Sequence, residues 1–401
     1  MPFEKPVPSF NKDSMQPRVL HVVAHLSTYG AENLVAQLAQ ELSASLPVAV
    51  LTVSNIPTAA REIDFAGPIF CAGRERGDAS FFLRMIALMR LWEPTIVHSH
   101  VHNGKYWGRM AAVMARVPHI VHTEHNSDFR AGVFEGAINR FLHRRTDRFI
   151  AFSRTHASAL AAAEHIDMSR IATIPNGIRQ PLASDRQAAR KQLGIDDETC
   201  AVFVVGRFAA VKNQELAIRT IARLPAAMAK QTKLFFAGNG RDEARLRGVA
   251  AHLNLQERVV FLGFRADLEA ILPAADALLV TSRNEAMPLS IIEAMSARVP
   301  VVSTPWLGAS ELLESGALGL ISADWTPESL VAALTRTFND VLGTAARTRR
   351  AQSVARTRYD IRVTASKHEA LYRELPGMGG PDHSDMRDEL VHDRRTVVAL
   401  R

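Results

Sequence analysis

The chain has 401 residues, 47% hydrophobic and 22% charged, which exceeds one ordinary domain and excludes a disordered polypeptide. Cys71 and Cys200 stand far apart and outside any C-x-x-C spacing, which excludes a disulfide framework and a cysteine zinc site. A net charge of +7 admits an anionic partner without choosing among nucleic acid, a lipid surface and a phosphorylated small molecule.

Residues 1–17 carry four prolines and no apolar core, so they read as an unstructured leader and not as a secretory signal. Short β-branched runs then alternate with segments of helical period, the pattern of α/β layers on a parallel sheet. Strands are expected at 18–24, 48–53, 95–98, 119–122, 147–151 and 171–174, with helices at 31–45, 79–92, 103–116, 134–145 and 154–165. Pro175-Asn176-Gly177 and the polar run to 198 read as a linker joining a short helix. A second series follows, with strands at 201–205, 233–237, 259–261, 277–281, 301–303 and 318–321, and helices at 212–225, 241–253, 288–297 and 326–341. An amphipathic helix at 360–373 comes last, before Pro376-Gly-Met-Gly-Gly-Pro381. No run of about 18 apolar residues occurs, so no transmembrane helix is expected. Two doubly wound domains would face each other across a cleft at their strand ends, where such sheets bind ligands.

Four segments carry chemistry. Glu285 and Glu293 flank the start of the 288–297 helix, where Pro288 suits a first helical position and the N–H groups of Leu289 and Ser290 would be free. The pair makes either a hydroxyl-binding site or two solvated glutamates at a helix start. Gly206-Arg207 to Lys212-Asn213 ends a buried strand with two cations, which suit a diphosphate or form a solvated basic loop. The absence of any D-x-D sequence fits charge neutralisation by these cations with no metal. Gly30 precedes a helix, as a phosphate-approach glycine or an ordinary turn. His125, after the 119–122 strand, offers acid–base or hydrogen-bonding chemistry or a structural loop residue. Eleven of the 15 histidines lie in the first 180 residues. A three-histidine zinc site at His98, His100 and His102 is a weaker reading, because no fourth ligand or carboxylate partner is evident.

Together, Gly30-Ala31-Glu32, Thr123-x-His125, Pro175-Asn176-Gly177, Gly206-Arg207…Lys212-Asn213, Gly238-Asn239-Gly240 and Glu285-x7-Glu293 resemble the motifs of the GT-B fold, family 4 retaining glycosyltransferases, in order from about 18 to 375. The resemblance implies an α/β architecture of two Rossmann-like doubly wound domains: an acceptor-side domain over 18–180 and a nucleotide-sugar domain over 181–358. A closing helix over 359–375 would return to the first domain, and 376–401 would form a disordered tail. It implies sugar transfer from a nucleotide-diphosphate sugar to an acceptor hydroxyl. Glu285 would contact the donor sugar and Glu293 the ribose, with Arg207 and Lys212 on the diphosphate. His125 would lie near the sugar, Gly30 near the phosphate and Arg265 by the base. Met287 stands where the family usually has a bulky aromatic, Tyr29-Gly30 replaces the frequent glycine pair, and Ile178-Arg179 follows Pro-Asn-Gly in place of the commoner acidic residue.

No cofactor beyond the donor substrate is expected. The acceptor would be a glycan or lipid-linked sugar, reached from the cytoplasm and peripherally at an anionic membrane surface, in cell-surface polysaccharide or glycolipid synthesis. Nucleic acid is not an expected partner, since aromatics are 6% of the chain and its cations are scattered. The rival readings are a sugar-nucleotide epimerase of similar shape and a non-catalytic anion-binding or nucleic-acid-binding protein.

Overall fold

The computed structural model describes residues 16–26, 30–54, 65–75, 77–101, 104–129, 133–181, 185–378 and 397–399. The chain divides into two compact units, Met1–Thr123 with Gly132–Phe149 and Ala365–Arg401, and Glu124–Ala131 with Ile150–Thr364.

The strands of the first sheet are β1 (Val19–Val23), β2 (Val48–Ser54), β3 (Ile69–Arg74), β4 (Ile96–His100), β5 (His119–Thr123), β6 (Arg148–Ala151) and β7 (Ile171–Thr173). The second sheet has β8 (Cys200–Val205), β9 (Thr232–Ala237), β10 (Val259–Gly263), β11 (Ala277–Val280), β12 (Val301–Ser303) and β13 (Leu320–Ile321), and β14 (Val397–Ala399) returns to the first. The orders are β14-β3-β2-β1-β4-β5-β6-β7 and β10-β9-β8-β11-β12-β13. Both contain the doubly wound order 3-2-1-4-5-6, the α/β architecture expected from the alternation of strands and helices.

The strands read as unbroken apolar runs because helices cover both faces. Along β8, Ala201 and Phe203 enter a core with Leu278, Ile291, Ile292 and Met295, while Val202 and Val204 enter another with Ile218, Leu234 and Phe236. Each fully buried Phe or Leu contributes about 1.5–3 kcal/mol relative to exposure. In the first unit, β1 supplies Leu20 and Val22 to a core completed by Leu51, Phe70, Met85 and Val97.

Several helix ends follow local chemistry, and one start is completed from a distance. Asp185 caps Arg186–Leu193, which stops at Gly194 in the left-handed region. Ser153 accepts the His156 N–H at the start of helix Arg154–Glu164. The Arg154 and Thr155 N–H groups instead donate to the Glu311 carboxylate, at 2.9 and 3.0 Å, from a segment far along the chain.

Four features differ from expectation. β3 and the 18-residue helix Val341–Arg358 were not foreseen, and the latter buries only Ala351 and Ala355, so it shows no apolar stripe. The tail expected without structure contributes β14, paired in parallel with β3 from Val397↔Ile69, and Met378 is buried; residues 379–396 lie outside the described residues. Residues 150–180 group with the second unit, whereas the sequence reading ended the first domain at 180. The cause is tertiary: Ile178 N–H donates to the Tyr359 carbonyl, and Asn176 bonds Met287. Gly177 is essential there, since a Cβ would lie 2.5 Å from Thr364 Oγ1 and 2.7 Å from the Asp360 carbonyl oxygen.

Candidate functional site

β8 ends against its neighbours through backbone alone. Gly206 N–H donates to Ala237, Gly238 N–H to Gly263 and Phe208 N–H to Asn239. A Cβ on Gly238, at φ 150°, would lie 2.1 Å from the Gly206 carbonyl oxygen, so only glycine permits this approach. The turn leaves a bare backbone at the carboxyl edge of the sheet, where ligands of such folds sit.

Past Gly206 the chain passes Arg207 and turns through Ala210–Lys212 into helix Gln214–Ala222. Lys212 Nζ lies 2.6 Å from Glu285 Oε1, and Ser282 Oγ donates to the same oxygen at 2.6 Å. The Lys212 and Glu285 side chains are 28% and 12% exposed, so the pair is only partly screened. Thr281 Oγ1 donates to the Lys212 carbonyl, and Arg283 N–H to that of Val211, which laces the two loops together. Trp325 Nε1 and Thr304 Oγ1 both donate to the Ser282 carbonyl. Arg207 is exposed, and its guanidinium has no ion-pair partner among the described residues; Gln214 Nε2 holds its carbonyl.

Helix Leu289–Ser296 takes Pro288 as its N-cap, whereas the sequence placed Pro288 first within the helix, and Leu289 and Ser290 lie in its first turn. Its face Ile291, Ile292 and Met295 enters the core. Glu293, one turn in, is half-buried, and among the described residues no group donates to its carboxylate. Burial, and secondarily the charge of Glu269, pushes its pKa up to about 7. Met287 is buried: its sulfur accepts from Asn176 N–H and its carbonyl from Asn176 Nδ2, each at 3.2 Å. Pro175-Asn176-Gly177 is thereby a packing joint under the site, a role the sequence reading did not assign.

His125 sits on the segment 124–129, in the second unit, with its ring edge-on to Phe152 at 5.3 Å. Arg265 is engaged by Asp267 through Nε and a terminal nitrogen, at 2.7 and 2.6 Å, a fork that raises the guanidinium pKa. Gly30 opens helix Gly30–Leu42 of the first unit at φ 69°, preceded by residues 27–29, which lie outside the described residues. The second unit thus holds every sequence-predicted site residue except Gly30, and it joins Lys212 directly to Glu285.

A histidine cluster lies in the first unit. His21, His98 and His100 are buried with ring nitrogens within 4.8 Å of one another. His102 lies outside the described residues; His21 was not foreseen, although β1 places it beside His98 in register. His21 Nδ1 meets His100 Nε2 at 2.9 Å, and burial, then His368, holds the His21 pKa down to about 3. Both His98 nitrogens face hydroxyls, Tyr372 at 2.6 Å and Thr123 at 2.7 Å, so a metal on His98 would have to displace one of them.

Two Rossmann-type sheets, with cations and carboxylates at the strand ends of the second, are the arrangement that the resemblance to family 4 glycosyltransferases implies. Family models agree: "Glycosyltransferase Family 4" matches residues 28–180 and "Glycosyl transferases group 1" matches 185–354. The chain belongs to the family 4 glycosyltransferases. It is 26% identical over 276 residues, 66% of this chain and 71% of the relative, to UDP-Gal:alpha-D-GlcNAc-diphosphoundecaprenol alpha-1,3-galactosyltransferase of Escherichia coli. It is 29% identical to D-inositol 3-phosphate glycosyltransferase of Mycolicibacterium gilvum across 61% of this chain and 58% of that relative. In fold it is similar to Anabaena HepE, crystallised with UDP and glucose, at a TM-score of 0.77 and 21% identity, covering 90% of this chain and 100% of HepE. Among the described residues no helix is long and apolar enough to cross a membrane.

Proposed function

We propose that the protein moves a sugar from a nucleoside-diphosphate donor to an acceptor hydroxyl with retention at the anomeric carbon and no resident metal. The reading rests above all on the Lys212–Glu285–Ser282 cluster, whose oxygen–nitrogen and oxygen–oxygen distances are 2.6 Å, on the carboxyl edge of a nucleotide-type sheet. Arg207 and Lys212 neutralise the departing diphosphate, the largest electrostatic demand of the step. The anomeric carbon–phosphate oxygen bond breaks, the bond to the acceptor oxygen forms on the same face, and the leaving phosphate oxygen takes the acceptor's proton. Glu285 orients the sugar hydroxyls and does not attack. Glu293, which has no hydrogen-bond donor among the described residues, takes the ribose hydroxyls, and the Leu289 and Ser290 N–H groups face the donor's oxygens. Gly206 admits the phosphates, Met287 and Pro288 shape the wall, His125 lies by the sugar, Arg265 by the base, and Gly30 by the phosphates.

A UDP-sugar is the first donor to try, since the E. coli relative is named for UDP-Gal and HepE was crystallised with UDP. That relative's diphosphoundecaprenol acceptor supports a lipid-linked acceptor here, for cell-surface polysaccharide or glycolipid, at the cytoplasmic face of an anionic membrane. Exposed Leu83, Leu91 and Phe141 on helices that also carry Arg90, Arg140, Arg144 and Arg145 support peripheral contact.

Thermal unfolding against UDP, GDP, ADP, CDP and their sugars tests the reading, because a ligand at 100 times its Kd adds about 2.7 kcal/mol. One nucleotide raises Tm, and Arg207→Ala diminishes the rise. A folded sample that responds to none of them overturns it.

A further inference from the structure

The segment 124–129 has the carbonyls of Asn126 and Ser127 held by side chains from two other places in the second unit. His156 Nε2 bonds the Asn126 carbonyl at 2.9 Å, and Asn284 Nδ2 donates to the Ser127 carbonyl at 2.9 Å. His125 lies directly before the first carbonyl, and Asn284 directly before Glu285.

The polarity of the first tether is fixed. Phe152 N–H donates to His156 Nδ1 at 3.2 Å, so that nitrogen is an acceptor and the ring proton is on Nε2, where it is donated to Asn126. His156 is 1% exposed, and its ring stacks with Phe152 and Phe129, with centroids 5.6 and 5.7 Å away. It has no freedom to turn. Phe152 also meets the His125 ring edge-on. The second tether has one polarity too, since a carbonyl only accepts and the asparagine must present its amide hydrogens.

We propose that Asn284 and His156 are positioning residues that fix the His125 segment to the loop carrying Glu285, setting the distance between the two groups assigned to the donor sugar. The inference rests on the functional reading above, in which His125 and Glu285 both address that sugar. Among the described residues neither tether bonds the Arg207, Lys212 or Glu293 side chain, so the proposal expects nucleotide affinity to be unaffected by their loss. A misplacement of about 1 Å at a reacting centre costs on the order of 100-fold in rate.

The test uses the full chain and its donor, with Asn284→Ala, Asn284→Asp, Asn284→Gln, His156→Phe, His125→Ala and the His125→Ala/Asn284→Ala double variant. Asn284→Ala and His156→Phe lower kcat by about 10–100-fold with nucleotide Kd by calorimetry unchanged. Asn284→Asp, whose carboxylate cannot donate to a carbonyl, falls at least as far, while Asn284→Gln recovers part of the rate. The double variant is no slower than His125→Ala alone, because the tether acts through His125. Losses that multiply in the double variant, a nucleotide Kd that weakens in step with kcat, or wild-type kcat in both single tether variants overturns the proposal. If His125→Ala keeps full activity, the reading of His125 falls and the tethers' role with it; loss in His125→Ala beside intact tether variants sinks this inference alone.

Discussion

Lys212 and Glu285, 73 residues apart in sequence, meet at 2.6 Å, and the loops that carry them are joined by the Thr281 hydroxyl on the Lys212 carbonyl. Partly exposed pairs of this kind add at most about 1 kcal/mol to stability. Lys212→Ala therefore shifts Tm slightly and lowers kcat about 100–1,000-fold, the cost of losing one preorganised partner of a developing anion. Turnover at saturating donor, read beside thermal unfolding, separates these effects. A collapse of Tm with unchanged turnover in the surviving protein would contradict the assignment.

Arg207 makes no ion pair among the described residues, so its removal leaves nothing unsatisfied. Arg207→Ala stays within about 0.5 kcal/mol of the parent in stability. Its affinity for a nucleoside diphosphate falls by roughly 10–100-fold, as loss of a charge-assisted contact worth about 1.5–3 kcal/mol requires. Arg207→Lys recovers only part of that, since an ammonium offers no planar fork. Titration calorimetry with the diphosphate reads both.

Glu293 gives the protein a pH signature. Its folded pKa of about 7 lies above the ordinary 4.5, so between these values the folded state keeps a proton the unfolded chain has released. The stability this carboxyl contributes is complete below pH 4.5 and is lost as pH rises through 7. The full swing is at most about 3 kcal/mol, less for the solvent the side chain still meets. Glu293→Gln flattens that part of the profile in urea unfolding between about pH 5 and 8. Equal pH dependence in parent and variant would refute the shift.

Gly177→Ala tests the joint beneath the site. The added methyl would lie 2.5 Å from Thr364 Oγ1 and 2.7 Å from the Asp360 carbonyl, and the backbone on that side cannot yield cheaply. Overpacking of this kind costs about 1–3 kcal/mol, visible as a lowered urea midpoint. An unchanged midpoint would show that the contact relaxes freely.

Much of the fold was legible because parallel strands buried on both faces are continuous apolar runs. Ala201–Phe203 and Leu278–Val280 announce themselves without tertiary information. Helix Val341–Arg358 was not legible, since it meets the core only through Ala351, Ala355 and the partly buried Val354, and its remaining residues are mostly arginine, threonine and small side chains. β3 was hidden by brevity, with four buried residues before Gly73 and Arg74. In the candidate site, the sequence places Arg207 and Lys212 after a strand end and Glu285 and Glu293 about a helix start. That Lys212 pairs with Glu285, that Asp267 occupies Arg265, and that Asn176 props Met287 are contacts between segments, which no local pattern encodes. His21 was missed for the same reason, because only strand register brings it to His98.

Glu311 supplies the first two N–H groups of helix Arg154–Glu164 with their acceptor, 157 and 156 residues downstream. During synthesis the helix emerges with only Ser153 to cap it, and at roughly 5–20 residues per second it waits roughly 8–30 s for its carboxylate. The same interval brings out the whole second sheet up to β12. The nascent chain thus carries a helix start capped by Ser153 alone until its downstream half is made.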